Sequence, residues 1–243
     1  MDYSICKGCF FSEDCLTPCE SCNKYVVDQA CCIEDEILLK RGGNLQQLNV
    51  PYPVRMVGAR ACWFLDKLSA VTLAPSVWKI CEEAFKYCDN LSIVNLSRVR
   101  SIGKGAFEDC PSLRRINLPS SVESIEEVAF ANSGLEEISI PEGITFLYVS
   151  TFCGCKNLQK VDLPTTLKVI EDTVFDGCKS LASIVLPREL FKIGDYAFAN
   201  CINLSQIVFK GTVEDWRRVD LGNCWRENAP IKQIVCCDGV ADL

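Results

Sequence analysis

Cysteine is the residue type in this sequence with the clearest capacity for chemistry. Of the 243 residues, 18 are cysteine and none is histidine. Without imidazole, the chain can form neither a Ser-His-Asp triad nor a histidine-based metalloprotease site. Thiolates therefore remain as the candidate metal ligands. The first 32 residues hold seven of them: Cys6, Cys9, Cys15, Cys19, Cys22, Cys31 and Cys32.

Two CxxC pairs in this segment predict a zinc site. Four thiolates complete a tetrahedral zinc shell, and a short segment with few core residues needs such a staple in order to fold. We therefore predict Zn²⁺ as a cofactor. Two alternatives stay open, namely cysteines that are free or paired in disulfides, and an iron-sulfur cluster. The predicted zinc ligands are Cys6, Cys9, Cys19 and Cys22.

The same segment also contains two spacings that resemble iron-sulfur ligation. Cys15, Cys19 and Cys22 spell CxxxCxxC, which resembles the radical-SAM core motif, and the spacing from Cys6 to Cys19 resembles an auxiliary-cluster motif. The resemblance implies a metal-cluster enzyme, which we keep as an alternative function. Such an enzyme needs a large α/β barrel around its cluster, whereas repeats fill the rest of this chain. We therefore predict a protein that is not an enzyme and has no catalytic residues.

After residue 32 the sequence becomes a tandem repeat. The motif Leu-x-x-aliphatic-x-apolar recurs at steps of 22 or 23 residues, and its alternation predicts a short strand with one buried face. A second apolar pair predicts the far wall of each coil. A phenylalanine then predicts a short helical or 3₁₀ turn. The motif starts at Leu45, Leu68, Leu91, Leu113, Leu135, Leu158, Leu181 and Leu204, and the phenylalanines are Phe85, Phe107, Phe130, Phe152, Phe175 and Phe198.

This repeat defines the predicted fold. Residues 33–243 form a leucine-rich-repeat solenoid of eight coils, with short parallel strands, turns, and a cap at each end, because a single coil cannot bury its own apolar face. Residues 1–32 form a separate cysteine-rich segment. Five cysteines lie three residues before a strand leucine, and we interpret them as core, because free cysteine behaves as a small buried hydrophobe. They are Cys88, Cys110, Cys155, Cys178 and Cys201, with Ser133 in the shorter copy.

The repeat also resembles a known family, the BspA-like leucine-rich repeats, over roughly residues 33 to 240. Residues 33–41 resemble that family's N-terminal hairpin, and residues 211–239 resemble its C-terminal cap. The resemblance implies protein or ligand binding without catalysis, often as surface adhesins of bacteria and some protozoa. The copy that carries it reads Ile102-Gly103-x-x-Ala106-Phe107-x-x-Cys110-x-x-Leu113-x-x-Ile116-x-Leu118-Pro119.

The outward-facing strand residues are the candidate contacts for a partner. In each motif the residues beside the central aliphatic point away from the core, and they form a mixed stripe that indicates no ligand class. We predict a non-catalytic scaffold that binds a protein or another macromolecule through this face. The selected partner-binding residues are Arg115, Asn117, Glu137, Ser139, Lys160 and Asp162, and the stripe continues through Gln47, Asn49, Ile93, Asn95, Ser183, Val185, Gln206 and Val208.

Composition restricts the partners and the location. The net charge of -7 argues against nucleic acid as a partner, because a broad basic surface is required. No apolar run approaches the roughly 20 residues that span a bilayer, and the start has no secretory leader pattern. We therefore predict a cytoplasmic protein without membrane insertion. An exported surface adhesin, at the cell surface or secreted, is the alternative.

Overall fold

The computed structural model describes residues 31–34, 37–41 and 45–243. Over this range the chain winds into a β-solenoid, and the predicted eight coils are confirmed. We number the coils 1 to 8 by their motif leucines, from Leu45 to Leu204. Each coil has a strand wall, a far wall and a turn wall.

The strand wall and the far wall each hold one short strand per coil, with one exception. Coil 4 has no strand on its strand wall, where residues 115–117 form no strand pairing. The strand wall consists of β3 (Gln47–Val50), β5 (Ala70–Leu73), β7 (Ile93–Asn95), β10 (Glu137–Ser139), β12 (Lys160–Asp162), β14 (Ser183–Leu186) and β16 (Gln206–Phe209), and β18 (Gln233–Cys236) extends this wall beyond coil 8. The far wall consists of β4 (Met56–Val57), β6 (Lys79–Ile80), β8 (Ser101–Ile102), β9 (Ser124–Ile125), β11 (Phe146–Leu147), β13 (Val169–Ile170), β15 (Lys192–Ile193) and β17 (Asp220–Leu221).

Burial follows the period of the sequence. The motif leucines of coils 2 to 8 are fully buried, and Leu45 of coil 1 packs partly buried against the same core. On the strands of the strand wall the central aliphatic points inward and its two neighbours point outward, as in β10, where Ile138 is buried between exposed Glu137 and Ser139. Adjacent strands are parallel and keep this register, so inward residues stack on inward residues along the solenoid.

A continuous stack of phenylalanine rings fills the interior of the turn wall. The six predicted rings are fully buried, and successive ring centroids are 5.3 to 5.7 Å apart, with planes inclined by 5 to 14°. Trp225 takes the same position in coil 8 and meets Phe198 edge-on at 6.1 Å. In coil 1 the position belongs to buried Cys62.

The turn wall is not helical, so the predicted short helical or 3₁₀ segments around the phenylalanines are wrong. Each turn instead has two residues of left-handed backbone, four positions apart, such as Gly105 and Asp109 around Phe107. Left-handed residues end a right-handed helical turn. The turn N–H groups donate to the next coil, as Phe107 N does to Ala129 O at 2.8 Å.

Both ends of the solenoid are capped, as predicted. At the N-terminal end β1 (Cys31–Glu34) and β2 (Ile37–Arg41) form an antiparallel hairpin, and β2 pairs with β4. At the C-terminal end β19 (Gly239–Asp242) folds back antiparallel on β18. Between β16 and β17 lies α1 (Val213–Trp216), the single helix of the described residues, begun by Thr212 in a reciprocal capping box with Asp215.

Strand pairing is interrupted around coil 4. Among the described strands, the strand wall pairs as β3-β5-β7, then β10-β12, then β14-β16-β18-β19, and the far wall has a gap between β9 and β11. The two steps of 22 residues, Leu91 to Leu113 and Leu113 to Leu135, lie on either side of the coil 4 strand segment. The turn wall keeps its inter-coil hydrogen bonds throughout this region. Strand pairing on the strand wall and the far wall is therefore interrupted near the two short coils, while the hydrogen bonds of the turn wall continue.

Candidate functional site

The six residues predicted to contact a partner lie together on the strand wall. Glu137 and Ser139 project from β10, Lys160 and Asp162 from β12, and the coil 4 pair comes from the segment without a strand. They surround one depression of about 270 Å³ in the interrupted region, which we call the strand-face depression. It is lined by Arg115, Ile116, Asn117, Leu118, Glu137, Ile138, Ser139, Lys160 and Asp162.

Two ion pairs give the strand-face depression its charge pattern. Arg115 Nε lies 3.2 Å from Glu137 Oε1, which links coil 4 to coil 5. Lys160 Nζ lies 2.7 Å from Asp162 Oδ2 within β12, and this hydrogen bond raises the pKa of Lys160. All four side chains are about half exposed or more, so water screens both pairs. The charged groups can therefore exchange their present partners for those of a ligand.

The remaining residues of the predicted stripe lie on the same wall but outside the depression. Most are polar and exposed, while Ile93 and Val185 expose apolar side chains, at 54% and 45%. In coils 2 and 3 the exposed row is linked by Asn95 Nδ2, which donates to Thr72 Oγ1 at 3.4 Å. The outer part of the strand wall is thus a mixed surface of exposed polar and apolar side chains.

The five cysteines that lie three residues before a strand leucine form a buried ladder. Their interpretation as core residues is confirmed. Each thiol donates to a backbone carbonyl of the preceding coil, for example Cys155 Sγ to Phe130 O at 3.1 Å. Burial raises the pKa of Cys88, Cys155 and Cys201 to about 12. A thiol with so high a pKa is a poor nucleophile. We call this set the thiol ladder: Cys88, Cys110, Cys155, Cys178 and Cys201.

One partly exposed aromatic cluster was not predicted from the sequence. Trp63, Phe64 and Tyr87 pack against one another on the turn wall of coils 1 and 2, with ring centroids 5.6 to 6.3 Å apart. Phe64 and Tyr87 have left-handed backbone, at φ 61° and 60°. In later coils that position holds glycine, asparagine or aspartate, residues that tolerate this conformation. When the turns of the eight coils are aligned, Phe64 and Tyr87 stand out as aromatic residues at a position where later coils have glycine, asparagine or aspartate.

The predicted zinc ligands Cys6, Cys9, Cys19 and Cys22 lie outside the described residues. In the part of the chain that is described, no group of three or more His, Cys, Asp or Glu side chains could hold a metal ion. The ten cysteines described with their side chains between Cys81 and Cys237 are free thiols. Likewise, no helix within the described ranges is long and apolar enough to cross a bilayer.

The stacked coils, parallel strands and leucine spacing define a leucine-rich-repeat β-solenoid. The family description "BspA type Leucine rich repeat region" matches this chain in six copies, over residues 33–159 and 100–228. The chain belongs to this family, and the predicted resemblance is confirmed. Comparison with curated proteins finds no match.

Solved structures with the same fold come from several bacteria. A leucine-rich repeat protein from Bacteroides ovatus is 23% identical with a TM-score of 0.60, covering 88% of this chain and 69% of its own. The T. pallidum leucine-rich repeat protein is also 23% identical, with a TM-score of 0.54 over 87% of this chain and 90% of its own. A protein from Eubacterium ventriosum is 19% identical, with a TM-score of 0.50, and 73% of this chain covers half of it. At this identity the comparisons show the fold alone.

Proposed function

We propose that this chain is a non-catalytic binding scaffold that contacts a partner protein through the strand-face depression. The observation that carries the proposal is the convergence of the six outward-facing residues around one concavity, at the place where strand pairing is interrupted. Extended solenoid surfaces are suited to macromolecular ligands. Alternating cations and carboxylates favour a partner that carries both signs of charge, because each group then finds a counterpart.

The strand-face depression is better suited to bind a partner than the rest of the strand wall. The floor of the depression is formed by partly buried Leu118 and by Ile116 and Ile138, which are only 5% and 3% exposed, beneath charged side chains. Protein interfaces combine an apolar centre with a polar border, and a few residues near the centre supply most of the affinity. The exposed ion pairs of the depression cost little to open, because water already screens them.

A charge reversal tests the proposal. The double variant Arg115→Glu, Lys160→Glu inverts both cations of the depression, whereas Lys67→Glu, Arg217→Glu makes the same change in net charge at exposed sites elsewhere. Quantitative affinity enrichment from the native source, with wild type and both variants, should give a partner retained by wild type and control but lost from the depression variant. Retention by all three chains would contradict the proposal.

We also propose that the protein functions in the cytoplasm and that its N-terminal cysteines bind zinc. Support for the location comes from Cys224 and Cys237, which are exposed free thiols, because reducing compartments keep such thiols unpaired. Alkylation and mass analysis of native-source protein should find both thiols reduced. Oxidised cysteines there would favour the exported adhesin.

A further inference from the structure

The far wall carries a second surface that the strand-face proposal does not use. In coil 5 three nearly consecutive apolar side chains are exposed, namely Phe146 at 41%, Tyr148 at 37% and Val149 at 37%. The rings of Phe146 and Tyr148 lie side by side, with centroids 6.3 Å apart. We call these three residues the far-wall patch. It lies next to the gap in strand pairing between β9 and β11.

The far-wall patch is a local departure from the repeat. At the position of Tyr148, the neighbouring coils have Glu126 and Glu171, and most other coils have glycine. At the position of Val149, the neighbouring coils have Glu127 and Asp172. Exposed apolar side chains at positions where both adjacent coils carry carboxylates are typical of a contact site.

The carboxylates beside the patch are held in place by backbone amides. Glu171 Oε2 accepts from Val149 N at 3.1 Å, and Glu126 Oε2 accepts from Lys104 N at 3.0 Å. Asp172 Oδ1 accepts from Asp195 N at 2.8 Å. Because these side chains are already ordered, they lose little conformational entropy when a ligand binds.

The charge around the patch is negative. Lys104 pairs with Glu127 at 2.7 Å, and a further cation, Lys168, immediately precedes the strand that pairs with Phe146. Among the described residues, no lysine or arginine forms an ion pair with the three amide-bound carboxylates, Glu126, Glu171 and Asp172. We call these three carboxylates the acidic rim: Glu171 lies beside the patch at Val149, whereas the carboxylate of Glu126 is turned towards coil 3 and that of Asp172 towards coil 7.

We propose that the far-wall patch docks a basic amphipathic segment of a partner protein. The apolar residues of that segment lie against Phe146 and Tyr148, and its lysine or arginine side chains lie against Glu126 and Glu171. Charge complementarity selects this occupant, because an acidic segment would meet the rim with like charge. The site is distinct from the strand-face depression, so the two surfaces can bind different segments.

The test uses the full chain and a labelled synthetic peptide of leucine and lysine with helical amphipathic spacing. Its counterpart of leucine and glutamate in the same pattern is the control. Fluorescence anisotropy should show binding of the lysine peptide only, with affinity that falls as salt rises. Tyr148→Ser should raise the Kd about tenfold, as the loss of a central interface residue does.

A matched pair of variants distinguishes binding to the acidic rim from non-specific attraction to an acidic protein. Glu126→Gln, Glu171→Gln keeps the acceptors for the backbone amides and removes two charges, and it should raise the Kd about tenfold. Asp66→Asn, Asp89→Asn makes the same charge change at distant exposed positions and should leave the Kd within about twofold. The Arg115→Glu, Lys160→Glu variant of the strand-face depression should bind the peptide like wild type or more tightly.

Three outcomes would overturn the proposal. Equal weakening by the rim pair and the distant pair would show non-specific attraction to an acidic protein. Unchanged affinity in Tyr148→Ser, with far-UV circular dichroism confirming the fold, would show that the aromatic centre makes no contact. A wild-type dimer that becomes monomeric in Tyr148→Ser, measured by sedimentation, would assign the patch to a second copy of this chain.

Discussion

The phenylalanine stack allows a quantitative prediction for Phe130→Ala. The ring is fully buried, and its centroid lies 5.5 Å from that of Phe107 and 5.7 Å from that of Phe152. Removing a buried phenylalanine side chain typically costs about 3 to 5 kcal/mol, depending on how far the site can collapse. Here the neighbouring coils cannot easily collapse into the cavity, because hydrogen bonds of the turn wall fix their spacing on both sides. Phe107 N donates to Ala129 O at 2.8 Å, and Phe130 N donates to Thr151 O at 3.0 Å.

We therefore expect the upper part of that range, about 4 to 5 kcal/mol of lost unfolding free energy. Urea unfolding followed by far-UV circular dichroism measures it. Phe191→Ala is the matched control, because that side chain is 52% exposed and its loss should change stability by no more than about 0.5 kcal/mol. A cost below about 1 kcal/mol for Phe130→Ala would refute both the register and the continuous stack.

The remaining predictions concern the corners and the thiols. Gly134→Ala should destabilise the chain by about 1 to 3 kcal/mol in the same urea assay, because a Cβ there would lie 2.0 Å from Pro111 O; a neutral result would disprove that close approach. The thiol ladder should lose stability as pH rises from about 9 towards 12, because unfolded thiols ionise near pH 8.5 while buried ones stay protonated. The urea midpoint should fall less steeply with pH in Cys155→Ala than in wild type, and parallel curves would contradict this. Elemental analysis of protein purified without affinity metal should find about one zinc per chain, lost in Cys6→Ser, Cys19→Ser; no metal in the wild type would disprove the zinc proposal.

The solenoid could be predicted from the sequence because its core depends on a period. A leucine every 22 or 23 residues, followed by an alternating strand and a buried phenylalanine, fixes which side chains face inward in every coil at once. The buried thiols followed from the same register. Their donation to carbonyls such as Phe130 O could not be predicted, because it depends on the offset between neighbouring coils.

The interruption of both walls depends on two single-residue differences. Between the strand and the far wall, two residues separate Leu96 from Val99 in coil 3, whereas three separate Leu118 from Val122 in coil 4. The corner that closes coil 4 is short as well, since Gly134 alone separates Ser133 from the next motif leucine. These differences are visible in the sequence, but their effect on pairing depends on how whole coils pack. A third interruption, between β12 and β14, falls at an ordinary step of 23 residues, and no sequence feature explains it.

Both proposed contact surfaces lie beside these interruptions, and a physical reason connects them. In a regular stack, the outward residues of adjacent coils stand in close rows along each wall. Where pairing stops, the strand wall forms a depression at Arg115 and the far wall accommodates the ring of Tyr148. The turn wall continues its hydrogen bonds through the same coils, so the local loss of pairing leaves the solenoid intact. Departures from an otherwise consistent pattern are expected at functional sites, and in this chain they coincide on opposite walls of coils 4 and 5.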